Sequence, residues 1–214
     1  MGSALATQLR APVPGSCMGW MAQRIMSMGN GADSIDAVSQ LVAATGNSSV
    51  ENPVIVEIGP GSGYAMKAML NSLSPSCMYG IEISEAFRNQ LASDKELAPF
   101  HASDVLSLHG DDAKDLNFIE NNSVDIIFAF NVIYFLNPLS VYLKECHRIL
   151  KPGGCVMFSV KGVAQNMDPS VYINTDWDKC LHEMKAVGFV EVEAKEERLE
   201  DSLSYIPLYG KKPN

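Results

Sequence analysis

The residues best suited to chemistry in this 214-residue chain are a carboxylate and three glycines around Gly61. Glu57 lies within the apolar run Val54–Ile58, and Gly59, Gly61 and Gly63 follow that run directly. Glycines in such a turn let a ligand approach backbone N–H groups without a Cβ atom in the way. A carboxylate at the tip of the preceding segment attracts positive charge, so the pattern indicates a site for a cationic, nucleotide-like ligand.

A dinucleotide site is the main alternative for a glycine turn of this kind. Its fingerprint, Gly-x-Gly-x-x-Gly, would require glycine at the position that Tyr64 occupies. A pyrophosphate would also be repelled by the Glu57 carboxylate. A nicotinamide-dependent reductase is therefore the weakest functional hypothesis, while another nucleotide or a purely structural turn stays open.

A strand before the glycines and a helix after them would position this site. The short, branched run Val54–Ile58 is typical of a buried strand. Apolar residues then recur at i, i+3, i+4 and i+7 from Met66 to Leu73, which predicts a helix that begins at Tyr64.

A second acid, Glu82, lies 25 positions after Glu57, near the end of the predicted strand 78–83. An acid at this distance beyond a glycine turn lies at the end of the neighbouring strand, where it can accept hydrogen bonds from ribose hydroxyls. The alternative is a solvated charge at a strand end, which is the commoner role of a lone glutamate.

The run Glu57-x-Gly-x-Gly-x-Gly resembles motif I of the class I S-adenosylmethionine-dependent methyltransferases. Further similar segments follow in the family's order, and the resemblance extends over residues 52–212. Those segments are 110–118 (the family's Gly-Asp-Ala segment), 122–131 (its fourth strand), 143–154 (Leu-x-Glu-x-x-Arg-Ile-Leu-Lys-Pro-Gly-Gly) and 188–192 (Gly-Phe before its sixth strand). Several segments in the correct order are far more specific than one loop.

The resemblance implies S-adenosylmethionine as cofactor. In the family, the Asp before Ala in the Gly-Asp-Ala segment accepts a bond from the adenine amino group, which corresponds to Asp112; Asp111, one position away, stays open. No metal site is expected. The implied cofactor-binding residues are Glu57, Gly59, Pro60, Gly61, Ser62, Gly63, Tyr64, Glu82, Ile83, Asp111, Asp112, Ala113, Asn131 and Val132.

The fold class that we predict is α/β, with a Rossmann-like, mostly parallel sheet of seven strands, helices on both faces and an antiparallel last strand. Strands that alternate with helices favour a parallel sheet. Residues 195–204 are too few for a helical crossover, so the last two strands should pair antiparallel. The predicted strands are 54–58, 78–83, 105–109, 124–130, 155–160, 189–194 and 205–210; the predicted helices are 64–73, 85–94, 138–150 and 177–187, with a loop at 95–104.

Residues 1–50 are predicted to form a helical extension or lid, and residues 51–214 the S-adenosylmethionine-binding domain of one compact unit. The extension should contain helices at 19–28 and 34–45. Asp33 should cap the second helix, and Ile35, Val38 and Val42 should face inward.

The extension and the loop 161–176 are the candidates to cover the acceptor crevice. Their pliable methionines and the aromatic residues Trp20 and Tyr172 suit a small, partly apolar acceptor. The alternative is that the methionines only seat the helices on the sheet. The opening helices also loosely resemble those of methyltransferases related to quinone biosynthesis.

The net charge of −9 argues against a nucleic-acid substrate, which needs a basic surface to hold phosphates. The Asn/Asp-Pro-Pro-Tyr motif of amino-methylating nucleic-acid enzymes is also missing: the corresponding residues are Asn131-Val132-Ile133-Tyr134. Asn137 instead should cap a helix that has Pro138 at its first position.

The five cysteines show neither a C-x-x-C pair nor zinc spacing, so they indicate thiols in a reducing, cytoplasmic setting. No apolar run approaches the length of a bilayer span, so no membrane association is expected.

These observations predict a methyltransferase that moves a methyl group to a small-molecule acceptor by in-line displacement. A protein methyltransferase and a catalytically silent S-adenosylmethionine-binding module are the alternatives. The sequence identifies neither a catalytic residue nor an oligomeric state. Among the histidines, His109 is expected to be a neighbour of the cofactor rather than a base.

Overall fold

The structure of the protein is a computed structural model that describes residues 17–45, 51–161, 169–170, 172–199 and 204–214, with side chains from residue 31 onward. In this part of the chain the strands are β1 (Val54–Ile58), β2 (Cys77–Ile81), β3 (Leu106–His109), β4 (Val124–Phe130), β5 (Leu150–Val160), β6 (Val190–Ala194) and β7 (Ile206–Lys211). The helices are α1 (Cys17–Ala44), α2 (Tyr64–Leu73), α3 (Glu85–Ala92), α4 (Ala98–Ala102), α5 (Leu139–Ile149) and α6 (Trp177–Val187), with a 3₁₀ turn at Ile133–Phe135.

All of these strands belong to one sheet with the order β3-β2-β1-β4-β5-β7-β6. The pairs from β3 through to β5 are parallel, whereas β7 runs antiparallel to both β5 and β6. This arrangement confirms the predicted fold class. Because the chain turns back from β3 to β4, which lies on the other side of β1, a crevice is expected at the carboxyl ends of β1 and β4.

Alternation along the central strands gives the sheet two apolar faces. Ile127 of β4 belongs to a buried cluster that contains Leu143 of α5, whereas Phe128 belongs to a cluster with Leu41 of α1 and Met66 of α2. Helices therefore cover both faces, as predicted. The second half of α1 is part of the same core as the sheet.

The predicted pair of helices before β1 is wrong, because α1 is one continuous helix of 28 residues. Asp33 lies inside it rather than at a cap, and its carboxylate is bound by Lys161 and by the backbone of Ser204. Tertiary contacts thus outweigh the helix-breaking tendency of the glycines before Asp33. Ile35 is 47% exposed, contrary to prediction, while Val38 is buried.

Smaller differences concern the ends of elements. The predicted loop 95–104 contains α4, and β5 begins at Leu150, so it includes the Lys-Pro-Gly-Gly turn. Asn137 does not cap α5: Pro138 occupies the cap position in an extended conformation, without a capping side chain. β2 ends at Ile81, so Glu82 lies just beyond the strand.

No helix within the described ranges is long and apolar enough to cross a membrane.

Candidate functional site

The turn between β1 and α2 presents its middle glycine to open space. Gly61 has a φ of 53°, and within the described part of the chain a Cβ atom there would meet only the Gly59 carbonyl oxygen, at 4.0 Å. Gly63 serves a different purpose, because a Cβ atom there would lie 2.5 Å from Leu91 Cδ2. Gly61 therefore keeps a surface free for a ligand, and Gly63 permits close packing at the start of α2.

Glu82 connects the end of β2 to this turn. Its Oε2 accepts a hydrogen bond from Gly61 N at 3.0 Å, and its Oε1 accepts one from Ser84 N at 2.8 Å. Burial raises the pKa of Glu82, although the bonds from Ser84 and Gly61 and the charge of Arg88 act in the opposite direction. Each carboxylate oxygen has a second lone pair that can accept a bond from a ligand.

Glu57 is the other buried acid of the site. It is 2% exposed, and its Oε2 has no hydrogen-bond partner among the residues that the structure describes. Burial, together with the nearby charge of Glu82, raises the pKa of Glu57 to about 8. A buried carboxyl group of this kind must either keep its proton or meet a cation.

The turn after β3 supplies two further acids. Asp112 accepts a bond from the backbone of Lys114 and forms an ion pair with its Nζ, at 2.9 Å. Burial alone would raise the pKa of Asp112, but hydrogen bonds from Lys114 and Tyr142 outweigh it and lower the pKa below its ordinary value. Asp111 is exposed and also lines the cleft, so the structure brings both candidate residues to the site.

The turn after β4 lies opposite the turns that follow β2 and β3. Asn131 has a φ of 58°, and its Oδ1 accepts hydrogen bonds from the Tyr134 hydroxyl at 2.6 Å and from Lys161 N at 3.1 Å. Val132 packs against the glycine turn so closely that a Cβ atom on Gly59 would lie 2.6 Å from its Cγ2. The two turns therefore meet across the carboxyl ends of β1 and β4.

These turns surround one cleft of about 1030 Å³, part of which is open to solvent. All the predicted site residues except Gly63 line it: Glu57, Gly59, Pro60, Gly61, Ser62, Tyr64, Glu82, Ile83, Asp111, Asp112, Ala113, Asn131 and Val132. Sequence reasoning missed its remaining wall, which consists of Ser34, Ile58, Ala65, Ile81, Phe87, Phe130, Phe135, Leu136 and Tyr142.

His109 was expected beside the cofactor, but it does not line the cleft. Its ring stacks on Phe118 with centroids 4.1 Å apart, and its Nε2 lies 3.1 Å from Ser107 Oγ. The ring therefore packs with Phe118 and Tyr79 instead of facing the cleft. Among the described residues, no cluster of three His, Cys, Asp or Glu side chains is arranged to hold a metal ion.

Comparison with known proteins gives a consistent match. A family model described as "Methyltransferase domain" matches residues 56–158. Malonyl-[acyl-carrier protein] O-methyltransferase 1 of Coxiella burnetii is 30% identical over 112 residues, which cover 52% of this chain and 35% of that protein. The chain thus spans about a third of the length of this curated relative.

Solved structures resemble the chain over most of its length. Phosphoethanolamine N-methyltransferase 2 of Haemonchus contortus, in complex with S-adenosyl-L-methionine, has a TM-score of 0.69 at 13% identity, covering 91% of this chain and 57% of that one. An S-adenosylmethionine-dependent methyltransferase of Mesorhizobium loti has a TM-score of 0.62 at 15% identity, covering 86% and 99%. At these identities the likeness shows the fold alone.

Proposed function

We propose that this chain, which belongs to the class I S-adenosylmethionine-dependent methyltransferase family, transfers a methyl group from S-adenosylmethionine to a small-molecule acceptor. One observation carries the proposal. All but one of the cofactor-binding residues that the family resemblance implies line a single cleft, and within it a buried oxygen of Glu57 has no hydrogen-bond partner among the described residues. A cationic ligand satisfies such an oxygen, whereas a pyrophosphate does not.

The residues present fit this methyl donor. Glu57 would receive the ammonium of its amino-acid part, and Gly61 leaves room for the ligand to approach the backbone. Glu82 would accept the ribose hydroxyls through its free lone pairs, and Asp112 or Asp111 the adenine amino group. The exposed side chain of Ile83, beside Glu82, offers an apolar surface to the base.

When bound, S-adenosylmethionine supplies an electrophilic methyl group on a positively charged sulfur. The protein then contributes mainly by positioning the acceptor and excluding water from the site, because an in-line displacement requires alignment of the acceptor with the methyl group. Phe130, Phe135 and Leu136 give the side of the cleft near β4 an apolar wall that excludes water.

A small acceptor is supported by the partly apolar lining of the cleft and by the relatives. The Coxiella relative is named for a malonyl group on an acyl carrier protein, so an acceptor borne by a carrier belongs to the same proposal. The net charge of −9 argues against a nucleic-acid acceptor.

We extend the proposal to the location of the protein and to residues 1–50. The described cysteines Cys77, Cys146, Cys155 and Cys180 are free thiols, which is typical of a reducing compartment and supports a cytoplasmic enzyme.

Ser34 of α1 lines the cleft, which supports a role for residues 1–50 as its cover.

Calorimetry with S-adenosylmethionine, S-adenosylhomocysteine and NADH tests the cofactor assignment, and we expect binding of the first two only. Release of S-adenosylhomocysteine from a panel of small amines, phenols and carboxylic acids then tests the acceptor class. Turnover on basic proteins alone would favour a protein methyltransferase. Binding without any turnover would favour a silent module, and binding of NADH alone would contradict the family's donor.

A further inference from the structure

Asp33 of α1 and Lys161, the residue after β5, form a largely buried ion pair beside the cleft. Lys161 Nζ lies 2.5 Å from Asp33 Oδ2, and the Asp33 side chain is only 3% exposed. The other carboxylate oxygen of Asp33 accepts a hydrogen bond from Ser204 N at 3.2 Å. The pair links α1 to the end of β5, and loss of the Lys161 ammonium alone would leave a buried, uncompensated carboxylate on α1.

A second set of hydrogen bonds fixes the backbone of Lys161 to the end of β4. Lys161 N donates to the Tyr134 hydroxyl oxygen at 2.8 Å and to Asn131 Oδ1 at 3.1 Å. Tyr134, which is buried, in turn donates its hydroxyl to Asn131 Oδ1 at 2.6 Å. Lys161 therefore joins three segments: α1, the turn after β4 and the end of β5.

Each of these connections ends at the wall of the cleft. Asn131 lines it directly, Ser34 lines it next to Asp33, and Phe135 lines it next to Tyr134. In the sheet, β4 and β5 lie on the opposite side of β1 from β2 and β3. Since the acids proposed to hold the nucleoside follow β2 and β3, the Lys161 connections shape the part of the cleft that is left for the acceptor.

We propose that Lys161 is a positioning residue for methyl transfer. Its ammonium group holds α1 against the ends of β4 and β5, so that Ser34 closes the acceptor side of the cleft next to Asn131, which the family resemblance also implies as a cofactor contact. This inference rests on the proposed function. It assigns to Lys161 no contact with the methyl donor and no part in the chemical step.

A separate attachment keeps α1 in place without Lys161. About one turn further along the helix, Asp36 Oδ2 accepts hydrogen bonds from the Tyr205 hydroxyl at 2.5 Å and from Arg198 Nε at 3.2 Å. Loss of the Lys161 ammonium should therefore loosen the helix near Ser34 without unfolding the protein.

The variants Lys161→Met and Lys161→Arg test this role. A double variant, Asp33→Asn with Lys161→Met, removes the ion pair without leaving a buried charge. Lys151→Met is the matched control, because Lys151 forms a similar ion pair with Asp125, at 2.8 Å, and does not line the cleft. The readouts are S-adenosylhomocysteine affinity, hydrogen exchange of residues 31–45, and KM and kcat for the best acceptor of the panel.

For Lys161→Met and for the double variant we expect exchange in residues 31–45 to rise about ten-fold and the acceptor KM about five-fold or more, with S-adenosylhomocysteine affinity changed less than about three-fold. Lys161→Arg should restore wild-type values, and Lys151→Met should keep them. Wild-type exchange and KM in Lys161→Met would overturn the inference, as would an equal loss in the Lys151→Met control. If the wild-type protein binds no S-adenosylhomocysteine, the proposed function fails instead, and hydrogen exchange alone decides whether Lys161 holds α1.

Discussion

Gly61 N donates a hydrogen bond of 3.0 Å to Oε2 of Glu82, a residue 21 positions later in the chain. This bond holds the glycine turn against the end of the neighbouring strand. It also places Glu82, the acid proposed to bind the ribose, next to the Gly61 backbone that the ligand is proposed to approach. The two motifs that the sequence presents separately are therefore one unit in the folded protein.

Replacement of Glu82 should weaken the binding of S-adenosylmethionine and S-adenosylhomocysteine. We expect Glu82→Ala to cost about 1–3 kcal/mol of binding free energy, because ribose hydroxyls and Gly61 N would lose their acceptor. Calorimetry measures the change, and Glu120→Ala, an exposed acid outside the cleft, is the control. Unchanged affinity in Glu82→Ala would rule out the assignment of this acid.

The glycine turn gives a prediction that separates binding from stability. Gly61→Val should abolish cofactor binding and leave the fold largely intact, because the new side chain would point into the open cleft, at a φ that β-branched residues resist. Gly63→Ala should instead lower the melting temperature, because its Cβ atom would collide with Leu91. Native melting together with retained binding in Gly61→Val would show that the turn does not hold the ligand.

The raised pKa of Glu57 predicts how stability depends on pH. Between pH 4.5 and about 8 the folded protein keeps a proton on Glu57 that the unfolded chain releases. The free energy of unfolding should therefore fall as the pH rises through this window, by at most about 1.4 kcal/mol per unit from this group. Urea unfolding of the wild type and of Glu57→Gln measures the effect as the difference between the two curves. Parallel curves from pH 5 to 8 would contradict it.

The same group should couple donor binding to proton release. In the free protein near pH 7, Glu57 is mostly protonated, because its pKa is about 8. A cation placed beside its unpartnered oxygen favours the ionised form, so binding of S-adenosylmethionine should release a proton and strengthen as the pH rises toward 8. Calorimetry in buffers of different ionisation enthalpy measures this proton. Glu57→Gln should release none, and equal release by both proteins would place the titrating group elsewhere.

The local sequence was sufficient to predict the ends of a helix or strand where that element has a clear apolar periodicity of its own. β1, α2, β4 and α6 begin and end at the predicted residues, because apolar periodicity and the flanking turn residues define them without help from distant contacts. The predicted residues of the cleft came from the family resemblance, and they lie at or just after the carboxyl ends of β1, β2, β3 and β4.

The rest of the cleft depends on contacts between segments far apart in the chain. The continuity of α1 through its glycines follows from contacts with Lys161 and Ser204, which no local pattern reveals. Ser34 reaches the cleft only because α1 is held there. Phe135 lies in a 3₁₀ turn without an amphipathic repeat, so its place in the wall is set by the packing of Tyr172 and Tyr134 around it.

Removal of residues 1–30 should separate cofactor binding from methyl transfer. The deletion removes the first part of α1 and keeps Ser34, Asp33 and the acids beyond residue 50. S-adenosylhomocysteine affinity should therefore stay close to that of the full chain. Turnover should fall severely, because the proposed cover positions the acceptor and excludes water.

Calorimetry and the rate of S-adenosylhomocysteine release measure these two properties, and a deletion of residues 1–16, which stops just before α1, is the control. Addition of S-adenosylhomocysteine should also increase the resistance of the first part of α1 to proteolysis, because segments that close over ligands come from the less stable parts of a fold. Equal turnover by the 1–30 deletion and the full chain would refute the cover. Residues 161–176, in which Tyr172 packs on the cleft residue Phe135, would then be the better candidate for acceptor recognition.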